Sequence, residues 1–197
     1  MTAFEWAKTE TPTEPPAEFY CKTSDVWQGR FTKVAPLLIK QGVDHKFAAL
    51  ITAVIGELGD NCFAHNSPNW IDLPGCWFQW AVDAGELQCI IADRGRGIFS
   101  SLKRVRPELH TDSEALLVAL TERVSGRAPE KRGNGLKFAV DALHSIAVGS
   151  VLLQSGTARM GAELPLDQSR IEAYIGVAEM PLRGVYCELH IQMKYEN

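Results

Sequence analysis

Between residues 27 and 41 the apolar positions Phe31, Val34, Leu37, Leu38 and Ile39 recur at helical spacing, which predicts a helix, with Pro36 in its interior counting against it. Gly42 is placed to stop that helix and Asp44 to cap the next. The second helix, over residues 45–65, is the longest the pattern predicts. It gives way to HNSPNWIDLPG, dense in Asn, Ser, Pro and Gly and therefore loop. Strand-like runs at 76–82 and 86–92 flank Asp83-Ala84-Gly85, which predicts an antiparallel hairpin. After DRGRGIF and a polar stretch, Leu116, Leu117, Leu120 and Val124 mark a helix over 113–124. SGRAPEKRGNG breaks the chain before a helix near 136–145, and strands are expected at 147–154, 157–160, 171–177 and 185–193. Helices, a hairpin, a crossover helix and further strands indicate an α+β, two-layer sandwich: a mixed, mainly antiparallel sheet covered on one face by helices.

The first eighteen residues read differently. From Thr9 to Pro16 the chain is Pro, Thr and Glu with no apolar period, so residues 1–18 are expected to be a flexible tail and residues 19–197 a single domain. A chain of 197 residues can bury enough surface to fold without disulfides or a structural metal. Its five cysteines are odd in number and contain no CxxC pair, which reads as reduced thiols in a cytoplasmic protein. The expectation is a protein outside the membrane, because no apolar run approaches about 20 residues. A net charge of −4 argues against a dedicated nucleic-acid clamp.

Three segments carry candidate chemistry. On the helix over 45–65, with Glu57 at zero, Asn61 falls near 40° and His65 near 80°, the stripe that Phe47, Leu50 and Val54 occupy earlier. A stripe that turns from apolar to polar needs partners for its polar groups, a ligand or a metal ion among them; a helix emerging into water gives the same pattern. The second segment is an apolar strand ending in Asp93-Arg94-Gly95-Arg96-Gly97. Its carboxylate can accept a hydrogen bond from an exocyclic amine while Gly95 and Gly97 leave room for a ring, although Asp-x-Gly is also ordinary turn chemistry. The third is Lys131-Arg132-Gly133-Asn134-Gly135-Leu136-Lys137, which opens a helix and combines glycines, bases and free N–H groups suited to an anion, although a flexible connector with a glycine-rich helix entry reads the same way. Neither a Rossmann fingerprint nor a Walker A loop is present.

ExxxN on a helix, DxGxG after a strand and GxG-Leu before a helix, in that order, resemble the N, G1 and G2 boxes of the GHKL ATPase superfamily. The resemblance covers residues 27–193 and implies the Bergerat, histidine-kinase-like ATPase fold, with ATP and Mg²⁺ held between helix and lid. It implies Glu57 as the residue that orients or activates the nucleophile and Asn61 as the Mg²⁺ ligand. His65 stands where the family has His or Lys near the phosphates. Asp93 corresponds to the adenine-recognising carboxylate, Gly95 and Gly97 to the glycines beside the base, and Gly133, Gly135 and Leu136 to the phosphate-contacting end of the lid, flanked by Lys131, Arg132 and Asn134. The family's next glycine is Lys137 here, and its Gly-Thr before the last strand is Gly184-Val185.

Between Arg94 and Lys137 ten bases face five acids, a local net of +5 that suits a triphosphate or an acidic partner. No histidine lies in a dimerising helix ahead of an acid, and no second transducing domain is evident. The chain therefore resembles the stand-alone anti-sigma-factor serine kinases, which implies a regulatory protein acting with Mg-ATP on a partner, such as an antagonist carrying a phosphorylatable serine. A homodimer is left open. The competing expectation is a nucleotide-dependent switch or slow ATPase without phosphotransfer, and a less favoured one is a nucleic-acid-associated ATPase. Trp70, Trp77 and Trp80 read as packing, and Cys62 as a small packed residue.

Overall fold

Alternation along the strands sorts side chains onto the two faces of one sheet. The computed structural model describes residues 1–124, 135–146 and 148–196. It is an α+β protein in which a five-stranded antiparallel sheet packs against several helices. The strands are β1 (Tyr20–Cys21), β2 (Cys76–Asp83), β3 (Glu86–Asp93), β4 (Gly149–Leu164) and β5 (Ile175–Gln192), in the order β1-β2-β3-β5-β4. Every pairing is antiparallel, so the expected mixed sheet is not found. Phe78, Leu87, Cys89, Ile91, Val151, Leu153, Cys187, Leu189 and Ile191 point into the main core, beneath the helices. Trp77, Ala92 and Tyr186 occupy the alternate positions and point to the reverse face.

The central helix is α4 (His45–Asn66), capped by Asp44, whose side chain accepts from the Phe47 N–H. Among the described helices it alone is long and apolar enough to cross a membrane, yet Ala48, Ile51, Val54, Ile55, Leu58 and Cys62 bury its apolar face in the core. Its two glycines make room for aromatic rings. A β-carbon at Gly59 would lie 2.0 Å from the Trp27 indole, and one at Gly56 would lie 2.7 Å from the Phe31 ring. The Trp27 Nε1–H donates to Asp60 Oδ1 at 2.7 Å, so the close approach is also pinned by a hydrogen bond.

Several expectations are corrected. The helix over 27–41 is two, α2 (Ser24–Phe31) and α3 (Val34–Lys40), and Pro36 falls in the first turn of α3, where the missing N–H costs nothing. The expected strands at 147–154 and 157–160 are one long β4, bent by irregular pairing around Gly156. Residues 171–174 belong to a 3₁₀ turn (Gln168–Tyr174) that precedes β5. DRGRGIF leads directly into a short helix, α5 (Gly97–Leu102), and the next helices are α6 (Asp112–Thr121) and α7 (Gly135–His144).

The first eighteen residues are not wholly a tail. Ala3–Lys8 form a helix, α1, closed by a reciprocal capping box between Thr2 and Glu5. Ala3, Trp6 and Ala7, at i, i+3 and i+4, are buried on the reverse face of the sheet, so helices cover both faces rather than one. The Trp6 Nε1–H donates to the Thr13 carbonyl at 2.7 Å, and the Arg94 guanidinium donates to the Trp6 carbonyl at 2.5 Å. Proline and glutamate content hid a helix whose apolar stripe is only three residues wide.

Candidate functional site

At one end of the sheet, β-ladder register lines up Cys76, Asp93, Val185 and Ser155, and α4 passes over this row. Asp93, the last residue of β3, is buried with its Oδ1 accepting from the Gly95 N–H at 2.7 Å and from Asn66 Nδ2 at 3.2 Å. Burial pushes its carboxyl up to about 7, opposed by the Gly95 N–H, the Cys62 thiol and the Asn66 amide. Asn66 also accepts from the Arg96 N–H at 3.0 Å and donates to the Cys62 carbonyl at 2.8 Å. One amide thus staples the DxGxG turn to the helix. Gly95 fits beneath it, since a β-carbon there would lie 2.1 Å from the Asn66 amide group.

The far side of the turn is held from the other strands. Ser155 Oγ accepts from the Ile98 N–H at 2.9 Å and donates to the Gly184 carbonyl at 3.1 Å. Gly184 has φ +71°, and a β-carbon on it would lie 2.2 Å from the Asp93 carbonyl oxygen, so only glycine lets β5 approach β3 here. Beside this turn, Gly95, Gly97, Arg96, Arg183, Ser155 and Gly184 are among the residues lining a cleft of about 270 Å³. Its lining includes neither Asp93, Glu57 nor Asn61.

Two turns earlier on α4, Glu57 is exposed and Asn61 half-buried. Here the structure joins segments far apart in sequence, because α7 packs against α4. A β-carbon on Gly135, the first residue of α7, would lie 2.7 Å from Glu57 Oε2 and 3.2 Å from Asn61 Nδ2. Leu136 is half-buried against the main core. Lys137 pairs with Asp141 one turn along its own helix, Nζ to Oδ1 3.1 Å. His65 is half-buried in the last turn of α4. Lys131, Arg132, Gly133 and Asn134 lie outside the described residues.

Two sequence inferences change. The core-facing stripe of α4 is not the one holding Glu57. Ala48, Ile51, Val54, Ile55, Leu58, Cys62 and Asn66 are its buried side chains, centred roughly 130° round the wheel from Glu57, and of these only Val54 shares the Glu57 stripe. The polar residue on the buried stripe is Asn66, whose position on that face was the available signal. The excess of bases is also partly neutralised. Arg94 is fully buried and donates twice to Asp72 Oδ2, at 2.6 and 3.2 Å, an acid from outside the segment.

Among the described residues no three His, Cys, Asp or Glu side chains gather as a metal cage. A magnesium ion held mainly by phosphate oxygens and water needs only one or two protein ligands, which Asn61 beside Glu57 fits. No protein-family model matches the chain, and no curated protein matches it.

Proposed function

We propose that the chain is an ATP-binding regulatory protein of the GHKL type with the Bergerat arrangement, acting with Mg²⁺ as a serine kinase on a partner protein. The observation that carries the proposal is the meeting of Gly135 with Glu57 and Asn61, which joins the G2-like glycine to the N-box-like carboxylate and amide. Further support comes from the spacing along α4. Asn66, which touches Asp93, is nine residues beyond Glu57, about 13 Å along the axis and comparable with the reach of ATP from base to terminal phosphate.

In this reading Asp93 accepts from the adenine amino group, and Gly95 and Gly97, packed under Asn66 and against Ser155, hold the turn beside the base. Asn61 supplies the protein ligand to Mg²⁺, whose contribution when bound is to offset charge on the phosphoryl oxygens. Glu57, exposed and adjacent, orients the partner's hydroxyl and accepts its proton. Gly135 sets the distance between the lid's end and these two side chains.

The second reading, a switch or slow ATPase without transfer, draws on the same apposition. Ordering of α7 against α4 by nucleotide would report occupancy to a partner. The two separate on Glu57→Ala with γ-labelled ATP, Mg²⁺ and co-purifying protein. Label on the partner that disappears in the variant supports the kinase. Released phosphate with no labelled partner, or partner binding that responds to ATP equally in both proteins, contradicts it.

A further inference from the structure

All five cysteines are buried and free, and three of them, Cys21, Cys62 and Cys76, converge on the sheet end described above, the Cys76 thiol meeting the other two. Cys21 of β1 and Cys76 of β2 are register partners on adjacent antiparallel strands, and Cys76 is in turn the register partner of Asp93. Register partners project from the same face, with α-carbons roughly 4.5–5.5 Å apart. A disulfide spans about 4.4–6.8 Å between α-carbons, so this pair can close without moving a strand. Cys89 and Cys187 do not share that geometry. Cys89 pairs with Leu189 and Cys187 with Ile91, which leaves the two cysteines on a diagonal roughly 7–8 Å long.

The two thiols of the register pair are also chemically unequal. The Cys76 thiol, acting as hydrogen-bond partner, draws the Cys21 thiol below its ordinary range; burial opposes this and the nearby Arg30 guanidinium reinforces it. Burial pushes the Cys76 thiol well up. Position assigns the roles in the same sense: Cys21, on the edge strand, is the attacking thiolate, and Cys76, on the next strand in, is the thiol that resolves it. Both thiols are fully buried, so access requires local opening of β1, a two-residue strand at the sheet edge.

We propose that Cys21 and Cys76 form a peroxide-responsive dithiol that closes to a cross-strand disulfide and locks β1 to β2 beside Asp93. The Cys21 thiolate attacks a peroxide oxygen, the O–O bond breaks, and hydroxide departs and is protonated to water, leaving a sulfenic acid. The Cys76 sulfur then attacks the Cys21 sulfur. The S–O bond breaks as the S–S bond forms, and the Cys76 proton leaves with the hydroxyl as a second water. Two thiols are oxidised and one peroxide is reduced. This inference is independent of the nucleotide reading.

The test is thiol counting and non-reducing peptide mapping of the full chain after treatment with hydrogen peroxide. The free-thiol count should fall from five to three, with a single Cys21–Cys76 cross-linked peptide that dithiothreitol reverses. Cys89→Ala should still lose two thiols and Cys21→Ala none. A count that stays at five, a cross-link between any other pair, or accumulation of Cys21 sulfinic acid in place of the disulfide would overturn the proposal. The wild-type map decides the matter even if a variant folds poorly.

Discussion

The Asn66 side-chain amide donates to Asp93 Oδ1 at 3.2 Å, linking the last turn of the central helix to the last residue of a central strand. Both side chains are buried. The same amide receives the Arg96 N–H, so it holds the glycine turn and the carboxylate together. Asn66→Ala should therefore destabilise the fold by roughly 1–3 kcal/mol, the cost of leaving buried polar groups without a partner. Urea denaturation checks this, and an unchanged midpoint would remove Asn66 from the account.

Stability should also carry the signature of Asp93. Its carboxyl is raised from an ordinary value of 3.8 to about 7, so between those values the folded state holds a proton that the unfolded state has released. The contribution is fully present below pH 3.8 and is lost as pH rises to about 7. Asp93→Asn removes that loss. The stability difference between variant and wild type, followed by thermal or urea denaturation, should move in the variant's favour by a few kcal/mol between pH 4 and 7. A pH-independent difference would contradict the buried, protonated carboxyl.

The Arg94–Asp72 pair offers a third check. Arg94 is fully buried and Asp72 nearly so, with Arg183 Nη1 a further 3.7 Å from the same oxygen. Removing one partner strands the other charge, so Arg94→Met should cost roughly 3–5 kcal/mol. Because the guanidinium also donates to the Trp6 carbonyl, the loss should loosen α1 from the reverse face. Adding Asp72→Leu should recover much of the stability. Chemical denaturation of both variants measures the coupling, and simple additivity would count against it.

Much of this architecture was legible because the local signals agreed. The apolar period of α4 runs for six turns behind an Asp cap. Asp83-Ala84-Gly85 also behaves as the hairpin grammar requires, with positive φ at Ala84 and Gly85 between the register partners Asp83 and Glu86. Where the reading failed, a short-range cue was outweighed by composition or by a long-range contact. The Thr2-to-Glu5 capping box was visible, but proline-rich neighbours masked it, and only Trp77 and Tyr186 across the sheet explain why Trp6 is buried. In the candidate site, Glu57 and Asn61 could be read as one stripe, whereas their meeting with Gly135 required the packing of α7 on α4. Asn66 and Ser155 belong to no motif, because their roles arise from where two elements cross.

Titration calorimetry of ATP into the full chain, with and without Mg²⁺, tests the central claim most directly when repeated on Asp93→Asn and Asn61→Ala. The account predicts Mg²⁺-strengthened binding to the wild type. It predicts about 10- to 100-fold weaker binding to Asp93→Asn, as expected for a lost hydrogen bond to a charged or buried acceptor, and loss of the Mg²⁺ effect in Asn61→Ala. No binding heat from ATP, or equal affinity in the wild type and Asp93→Asn, would contradict it.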